Sequence, residues 1–323
     1  MLNLIKNHNS YIMNIPIIVI HRGTPFYLYP VLKQMRLFNP DNRICLISDG
    51  IPDGCDFVEY HDINDYWDSS VEFDKIYLHL SSNPRDYEMF CFQRWFVIRD
   101  FVQKQGFEYF LCVDSDVLLY CDVNNLFGKY LKYDVVICNE VELHCSLFSV
   151  DSLIRFCDHM TYMYTNEQSL TALKDIYQTF LVEKKLGGIC DMTAFSRFKS
   201  NVDHIFDIGI PVDGACFDEN ISVSTGFEME GDKKKIYWND NLPYGRSVSD
   251  NSMIRFYCLH FQGRAKYSIY KYLLDEHKVH HSGFWYNLKW SLSKEILGAR
   301  LKGIKKAIQN PRMVVNFVKA KLK

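Results

Sequence analysis

Two aspartates one residue apart, Asp114-Ser115-Asp116, follow the apolar run Tyr109–Val113 and precede Val117-Leu-Leu119. Two carboxylates at the exit of a strand can face one divalent cation. Mg²⁺ and Mn²⁺ favour such hard oxygen ligands and leave positions for substrate phosphates. The triplet alone says little in an aspartate-rich chain; its place at a strand exit is what points to chemistry. The plain alternative is a solvated or capping pair. His260 closes a second apolar run, Ile254–Leu259, and opens His260-Phe-Gln-Gly263-Arg-Ala-Lys266. An imidazole can complete a metal site begun by carboxylates, a glycine lets backbone approach a phosphate, and a lysine adds a positive point charge. Read by itself, His260 is as readily a core histidine.

Alternating strand-like and helix-like segments must position these groups. Ile15–Ile20 and Arg43–Ser48 are β-rich apolar runs, Asp56–Tyr60 is a third strand, and Glu108–Val113 and Tyr133–Cys138 follow. Leu28, Leu32, Met35 and Leu37 fall near helical spacing within Phe26–Phe38, and Phe90–Gln105 reads as a helix closed by Gly106. Such alternation implies an α/β fold with a mostly parallel central sheet covered on both faces. In open sheets of this kind ligands sit beyond the carboxyl ends of the strands. That directs attention to His21–Pro25, Asp49-Gly50 and Asp114–Asp116. Further on, Thr225–Trp238 reads as a hairpin turning at Gly231-Asp232-Lys233, and Met253–Phe261 as one apolar strand.

Together, Asp114-Ser-Asp116 and His260-Phe-Gln-Gly263-x-x-Lys266 resemble the GT-A glycosyltransferases, Rossmann-like enzymes that use nucleotide-sugar donors and a divalent metal. The second element is most similar to the C-terminal signature of glycosyltransferase family 8. That family usually continues Lys-Pro-Trp, whereas Tyr267-Ser268 follow here. The resemblance spans roughly residues 15–270. It implies that Asp114, Asp116 and His260 hold Mn²⁺ or Mg²⁺, and that Gly263 and Lys266, with Asp114 and Ser115, face the donor diphosphate. It implies nucleotide contacts from His21, Arg22 and Thr24 after the first strand and from Asp49 after the second. Arg94, 20 residues before Asp114, corresponds to a basic residue reaching the donor. Asp191 corresponds to an acid contacting the transferred sugar. For an inverting reaction Asp191 or Glu142 would serve as base, and the stereochemistry stays open. Against these stand plainer readings: a tight turn at Gly23–Pro25, a surface arginine at position 94 and a helix cap at Asp191. Glu140 and Glu142 form an E-x-E after a strand, near the acceptor side.

Composition frames the rest. The 323 residues are 48% hydrophobic, 24% charged and 15% aromatic, which excludes a disordered chain, and 16 Gly with 9 Pro exclude collagen-like or linker-rich architecture. Eleven cysteines form no CxxC pair and sit largely in apolar runs, so reduced thiols are expected. Cys145 has no partner pattern for a nucleophile. Asn3, Lys6, Asn7, His8 and Asn9 stand where a signal peptide would be apolar, so a cytoplasmic location is expected.

Net charge is −2, but residues 285–323 carry ten basic residues against Glu295, a balance of +9, leaving 27 basic against 38 acidic residues, −11, in residues 1–284. The expected division is therefore a catalytic domain over 1–284 and a basic, amphipathic helical extension over 285–323. Leu292, Ile296, Leu297, Leu301, Ile304 and Ile308 supply the apolar stripe, with Trp285 and Trp290 upstream. Such a tail suits an anionic membrane surface, or packs on the body. The acidic body argues against nucleic acid. His277, His280 and His281 share a helical spacing, but no acid or cysteine cluster supports zinc there.

The expected function is transfer of a sugar, with a UDP-sugar favoured as donor, to a saccharide or lipid-linked acceptor in surface polysaccharide synthesis. The alternatives are a nucleotidyltransferase, against which His21-Arg-Gly-Thr24 has one glycine only, and an inactive sugar- or membrane-surface-binding module.

Overall fold

The computed structural model describes residues 14–274. The tail over 285–323, its stripe, the tryptophans and the three histidines lie outside the described residues, as does the N-terminal segment.

The first strands alternate with helices: β1 (Ile17–His21), α1 (Leu28–Phe38), β2 (Ile44–Ser48), β3 (Glu59–Asp62), α2 (Asp68–Ile76), α3 (Arg85–Gln105) and β4 (Tyr109–Val113). Then follow β5 (Val117–Leu119), α4 (Val123–Phe127), β6 (Val135–Cys138), β7 (Glu142–Ser149), α5 (Val150–Thr165), α6 (Glu167–Val182), α7 (Asp191–Phe198) and β8 (Ile205–Asp207). Seven of these strands form one sheet in the order β3-β2-β1-β4-β7-β6-β8. β7 runs antiparallel to β4 and β6, and every other pairing is parallel. The expected mostly parallel sheet is present.

Alternation along the strands builds the two faces. Ile18 and Ile20 point to a core with Phe92, Trp95 and Phe101 of α3 and Phe156 of α5, while Ile17 and Val19 point to Leu28, Leu32 and Met35 of α1. Helices thus cover both sides, as nearly continuous apolar strands require. Each such side chain contributes about 1.5–3 kcal/mol by leaving water.

The C-terminal part is a set of short strands: β9 (Ala215–Cys216), β10 (Met229–Glu230), β11 (Lys233–Lys234), β12 (Tyr237–Asn239), β13 (Leu242–Arg246), β14 (Met253–Phe256) and β15 (Cys258–His260). The hairpin expected near Gly231 is β10–β11, turning through Gly231-Asp232. A four-stranded sheet β12-β13-β14-β9 stands beside it.

Some boundaries differ from expectation. α3 begins at Arg85, because Pro84 stops the chain and Asp86 and Glu88 favour the first helical turn, positions without apolar periodicity. β3 pairs through Glu59–Asp62, so the paired residues lie beyond the apolar Phe57-Val58. The run Met253–Phe261 splits at Tyr257, where the chain leaves β13 and β9 and joins β5. Helices α2, α4, α5 and α6 and strands β7, β8, β9, β12 and β13 are additional to the elements read from sequence, and Glu142, expected in a loop, opens β7.

Candidate active site

The strand after Asp116 does the assembling. β5 pairs antiparallel with β15, with His260 opposite Val117, so the imidazole lands beside the carboxylate that precedes Val117. Phe261 N–H donates to the Asp116 carbonyl (3.0 Å) and extends the ribbon. Asp114 is fixed from the sheet: its N–H donates to the His144 carbonyl (2.8 Å) and its carbonyl accepts from Val117 N–H (3.1 Å). Asp114, Asp116 and His260 each bring one ligand atom within 4.8 Å of the others.

Orientation favours a metal at His260. Its Nδ1 lies 2.6 Å from the Glu219 carbonyl oxygen, which can only accept. Nδ1 therefore carries a proton and donates it to that carbonyl, and Nε2 faces Asp116 Oδ1 at 3.6 Å. This is the arrangement by which a backbone acceptor fixes a metal-binding tautomer. Two carboxylates and one imidazole suit Mn²⁺ or Mg²⁺ sharing its shell with phosphate oxygens, so the residues present fit that group.

Charge is concentrated here. Burial alone would raise the Asp116 carboxyl, but His260 and Lys266 outweigh it and hold it well below the usual range. Burial likewise opposes charge on His260, yet Asp116 pushes the imidazole up to about 9, so Nε2 also holds a proton at neutral pH, and a cation bound by His260 would displace it. Lys266 Nζ is 3.0 Å from Asp116 Oδ2. It stands on the 3-10 segment Gly263–Lys271, whose Ala265 and Ile269 pack under the small sheet. Gly263 has φ +59°, a left-handed backbone that glycine supplies without strain.

Other residues named from sequence converge on this edge. His21, ending β1, has Nδ1 2.9 Å from Ser115 Oγ, and burial, then Lys266, lowers its pKa. Asp49 accepts from Gly23 N–H through Oδ1, tying the end of β2 to the loop after β1. Arg22 lies over the rings of Trp67 (4.4 Å) and Phe90 (4.8 Å), and Thr24 is exposed. Arg94 is no surface arginine. It reaches Asp114 Oδ1 at 2.6 Å and Asp191 Oδ2 at 2.8 Å, and although burial opposes its charge, these two carboxylates hold it well above its usual range. Asp191 is the first residue of α7, whose cap is Cys190. Its Oδ2 also accepts from Trp95 Nε1 (3.0 Å) and its Oδ1 from Met192 N–H (3.0 Å). Glu142 opens β7. Burial pushes its carboxyl up to about 7, with Glu219, Asp191 and Asp114 adding to the effect.

Four supporting residues went unread in the sequence. His144 stacks on His260 with centroids 4.1 Å apart and is kept neutral by burial. Its Nε2 lies 3.1 Å from the Asp218 carbonyl. Asp218 Oδ2 accepts from His260 N–H (3.1 Å), and its Oδ1 pairs with Lys234 Nζ at 2.6 Å, both side chains 0% exposed. Glu219 provides the carbonyl that orients His260. A buried lysine inside Lys233-Lys-Lys235 leaves no mark in sequence, since such runs read as solvated. His144, one apolar-face residue of β7, was the legible signal.

All eleven cysteines are free. No helix among the described residues is long and apolar enough to cross a membrane.

No family model matches the chain, and no curated protein matches it. Among solved structures, it is similar to mouse xyloside xylosyltransferase 1 in its apo form, at 11% identity and TM-score 0.38 over 58% of this chain and 82% of the other. The galactosyltransferase LgtC, in complex with donor and acceptor sugar analogues, gives 12% identity and TM-score 0.38 over 60% and 73%. A glycosyltransferase involved in glycosylating the major capsid of PBCV-1 gives 10% and 0.31 over 59% and 80%. At TM-scores this low, any functional reading of the chain rests on its own side-chain geometry.

Proposed function

We propose that the protein is a glycosyltransferase that moves a sugar from a nucleotide-sugar, a UDP-sugar favoured, to a saccharide hydroxyl. One observation carries this reading: two carboxylates and a pre-oriented imidazole converge within 4.8 Å at the carboxyl edge of a mostly parallel sheet, with Lys266 beside them. Mn²⁺ or Mg²⁺ held by Asp114, Asp116 and His260 supplies positive charge beside the leaving nucleoside diphosphate. Lys266 adds a fixed positive charge to the same phosphates, and Gly263 admits them close to backbone. His21, Arg22, Thr24 and Asp49 line the approach for base and ribose, and Ser115 faces the diphosphate. Arg94 holds Asp114 and Asp191 in a fixed relation. Asp191, with both oxygens engaged, is suited to orient the transferred sugar. Glu142, whose carboxyl burial pushes up to about 7, is suited to take up the proton of an attacking hydroxyl in an inverting course. A retaining course needs no such base.

A lipid-linked acceptor in surface polysaccharide synthesis agrees with the +9 balance of residues 285–323, which favours peripheral contact with an anionic membrane from the cytoplasmic side. The test is donor hydrolysis across UDP-, GDP- and CMP-sugars with Mn²⁺. We expect hydrolysis of a UDP-sugar that stops on chelation. Absence of turnover with every donor overturns the reading.

A further inference from the structure

A cavity of about 410 Å³ adjoins the cluster. It shares Asp218 and Glu219 with the wall that holds His260. Its other walls come from Asn139 after β6, Gly209–Pro211 after β8, and the small sheet from Thr225 to Ile254. The volume lies within the range of roughly 300–1,000 Å³ typical of small-ligand sites.

The lining has a definite chemistry. Ser247 and Ser249 hydroxyls pair with each other (2.9 Å) and Ser252 donates to Asp250 (2.7 Å), each keeping acceptor capacity at the wall, while Phe227 and Ile254 offer apolar surface, a combination that suits the hydroxyl edges and C–H faces of a sugar ring. Among the described residues, no Lys, Arg or His lines it. Of its three carboxylates, Asp218 is neutralised by Lys234 from behind. Asp250 and Glu219 have no basic partner among the lining residues. Glu219 Oε2 is buried and has no hydrogen-bond partner. A buried acceptor left unpaired costs about 1–3 kcal/mol. Glu219 itself lines the cavity and offers its carboxylate to an entering hydroxyl.

The wall is also held in a costly shape. Asn139 (φ +47°) and Glu140 (φ +65°) are both left-handed. Asp207 imposes this by accepting from the N–H groups of Asn139 (2.8 Å), Glu140 (2.7 Å) and Gly209 (2.8 Å). A Cβ on Gly209 would stand 2.5 Å from Asn139 N. Backbone held in such regions costs about 1–3 kcal/mol per residue and persists mainly where a binding surface needs it.

We infer that this cavity is the acceptor subsite, and that it takes the uncharged end of a saccharide while rejecting acidic sugars and phosphate esters. The inference rests on the glycosyltransferase reading of the adjoining cluster. A diphosphate carrier, where the acceptor has one, must keep its phosphates outside this cavity.

Saturation-transfer NMR on the full chain, without donor, tests the selectivity. The probes are lactose and methyl galactoside against glucuronic acid and galactose 1-phosphate. The neutral probes should bind and the acidic ones should not. Glu219→Gln should weaken neutral binding about tenfold, the loss of one charge-assisted hydrogen bond. Ser249→Lys, at an exposed position, should gain about tenfold for the acidic probes by placing a positive charge at the rim. Acidic probes binding as well as neutral ones, neutral binding indifferent to Glu219→Gln with acidic binding indifferent to Ser249→Lys, or no neutral binding at all each overturn the inference. Donor hydrolysis by the same preparation separates the two claims. Hydrolysis without saccharide binding removes the subsite alone, and saccharide binding without hydrolysis removes the transferase reading.

Discussion

Among the described residues, two places bring three metal-type ligand atoms within 4.8 Å of one another: Asp114, Asp116 and His260, and Cys45, Glu59 and His61. Their surroundings divide them. At the first, Arg94 takes Asp114 Oδ1 and Lys266 takes Asp116 Oδ2, so each carboxylate keeps a second oxygen for the cluster, that of Asp116 facing His260 Nε2 at 3.6 Å. At the second, Arg43 engages both oxygens of Glu59, through Nε and a terminal nitrogen at 2.6 Å. Cys45 sits mid-strand in the core, where burial pushes its thiol up to about 12. Forming the thiolate that binds metal is costly there. His61 Nε2 is buried without a hydrogen-bond partner and its ring packs on Phe101 at 4.7 Å. The first group stands at the carboxyl edge of the sheet and the second on the neighbouring strands β2 and β3. Proximity of ligand types does not make a metal site. What else each ligand atom is already doing decides it.

The largest effect should expose that contrast directly. Asp116→Ala should weaken Mn²⁺ binding at least about a hundredfold, since even supporting residues of metal sites are commonly worth 10–100-fold. Cys45→Ser should leave Mn²⁺ and Zn²⁺ affinity where they were. Calorimetric titration of both variants decides it. A loss of affinity in Cys45→Ser, or its retention in Asp116→Ala, reverses the ranking of the two clusters.

Next come the ion pairs that serve each region. Lys234 and Asp218 are fully buried, and Lys234→Met strands a carboxylate that also anchors His260. Breaking a buried pair from one side costs about 3–5 kcal/mol. The Arg43–Glu59 pair is about two-fifths exposed on each side, and Arg43→Met should cost under about 1 kcal/mol. Urea denaturation of the two variants should rank them in that order. Equal losses would mean that Asp218 finds a new partner once Lys234 is gone.

The sequence made one of these regions legible and hid the other's limits. Asp114 and Asp116 are legible as the exit of an apolar strand, whereas His260 joins them only through the resemblance carried by His260-Phe-Gln-Gly263-x-x-Lys266, because β15 pairs with β5 outside the main sheet. Arg94 was visible as a basic residue 20 positions upstream, but its bridge between Asp114 and Asp191 depends on where α7 returns to the sheet. Asp218 and Lys234 could not be paired on paper. Their 16 residues of separation cross β10 and one strand of a hairpin, and neither periodicity nor charge pattern marks a buried lysine. The same limit hid Glu59, whose pairing register, not its neighbours Phe57 and Val58, decides which face it occupies.

The smallest expected effect belongs to Glu59. Hydrogen bonding from Arg43 lowers the Glu59 carboxyl below its ordinary value, against a smaller opposing effect of burial. A carboxyl whose folded pKa is depressed contributes stability that is present above its unfolded pKa, near 4.3 for glutamate, and lost as pH falls through the lower folded value. Its exposure screens the pair, so wild type should exceed Glu59→Gln by no more than about 1 kcal/mol at pH 7. The gap should shrink in salt and close on acidification below about pH 4. Denaturation midpoints at neutral and acid pH measure it. A gap that exceeds the cost of Lys234→Met, or that widens on acidification, would mean Glu59 is held by more than Arg43, and would reopen the Cys45–Glu59–His61 cluster as a binding site.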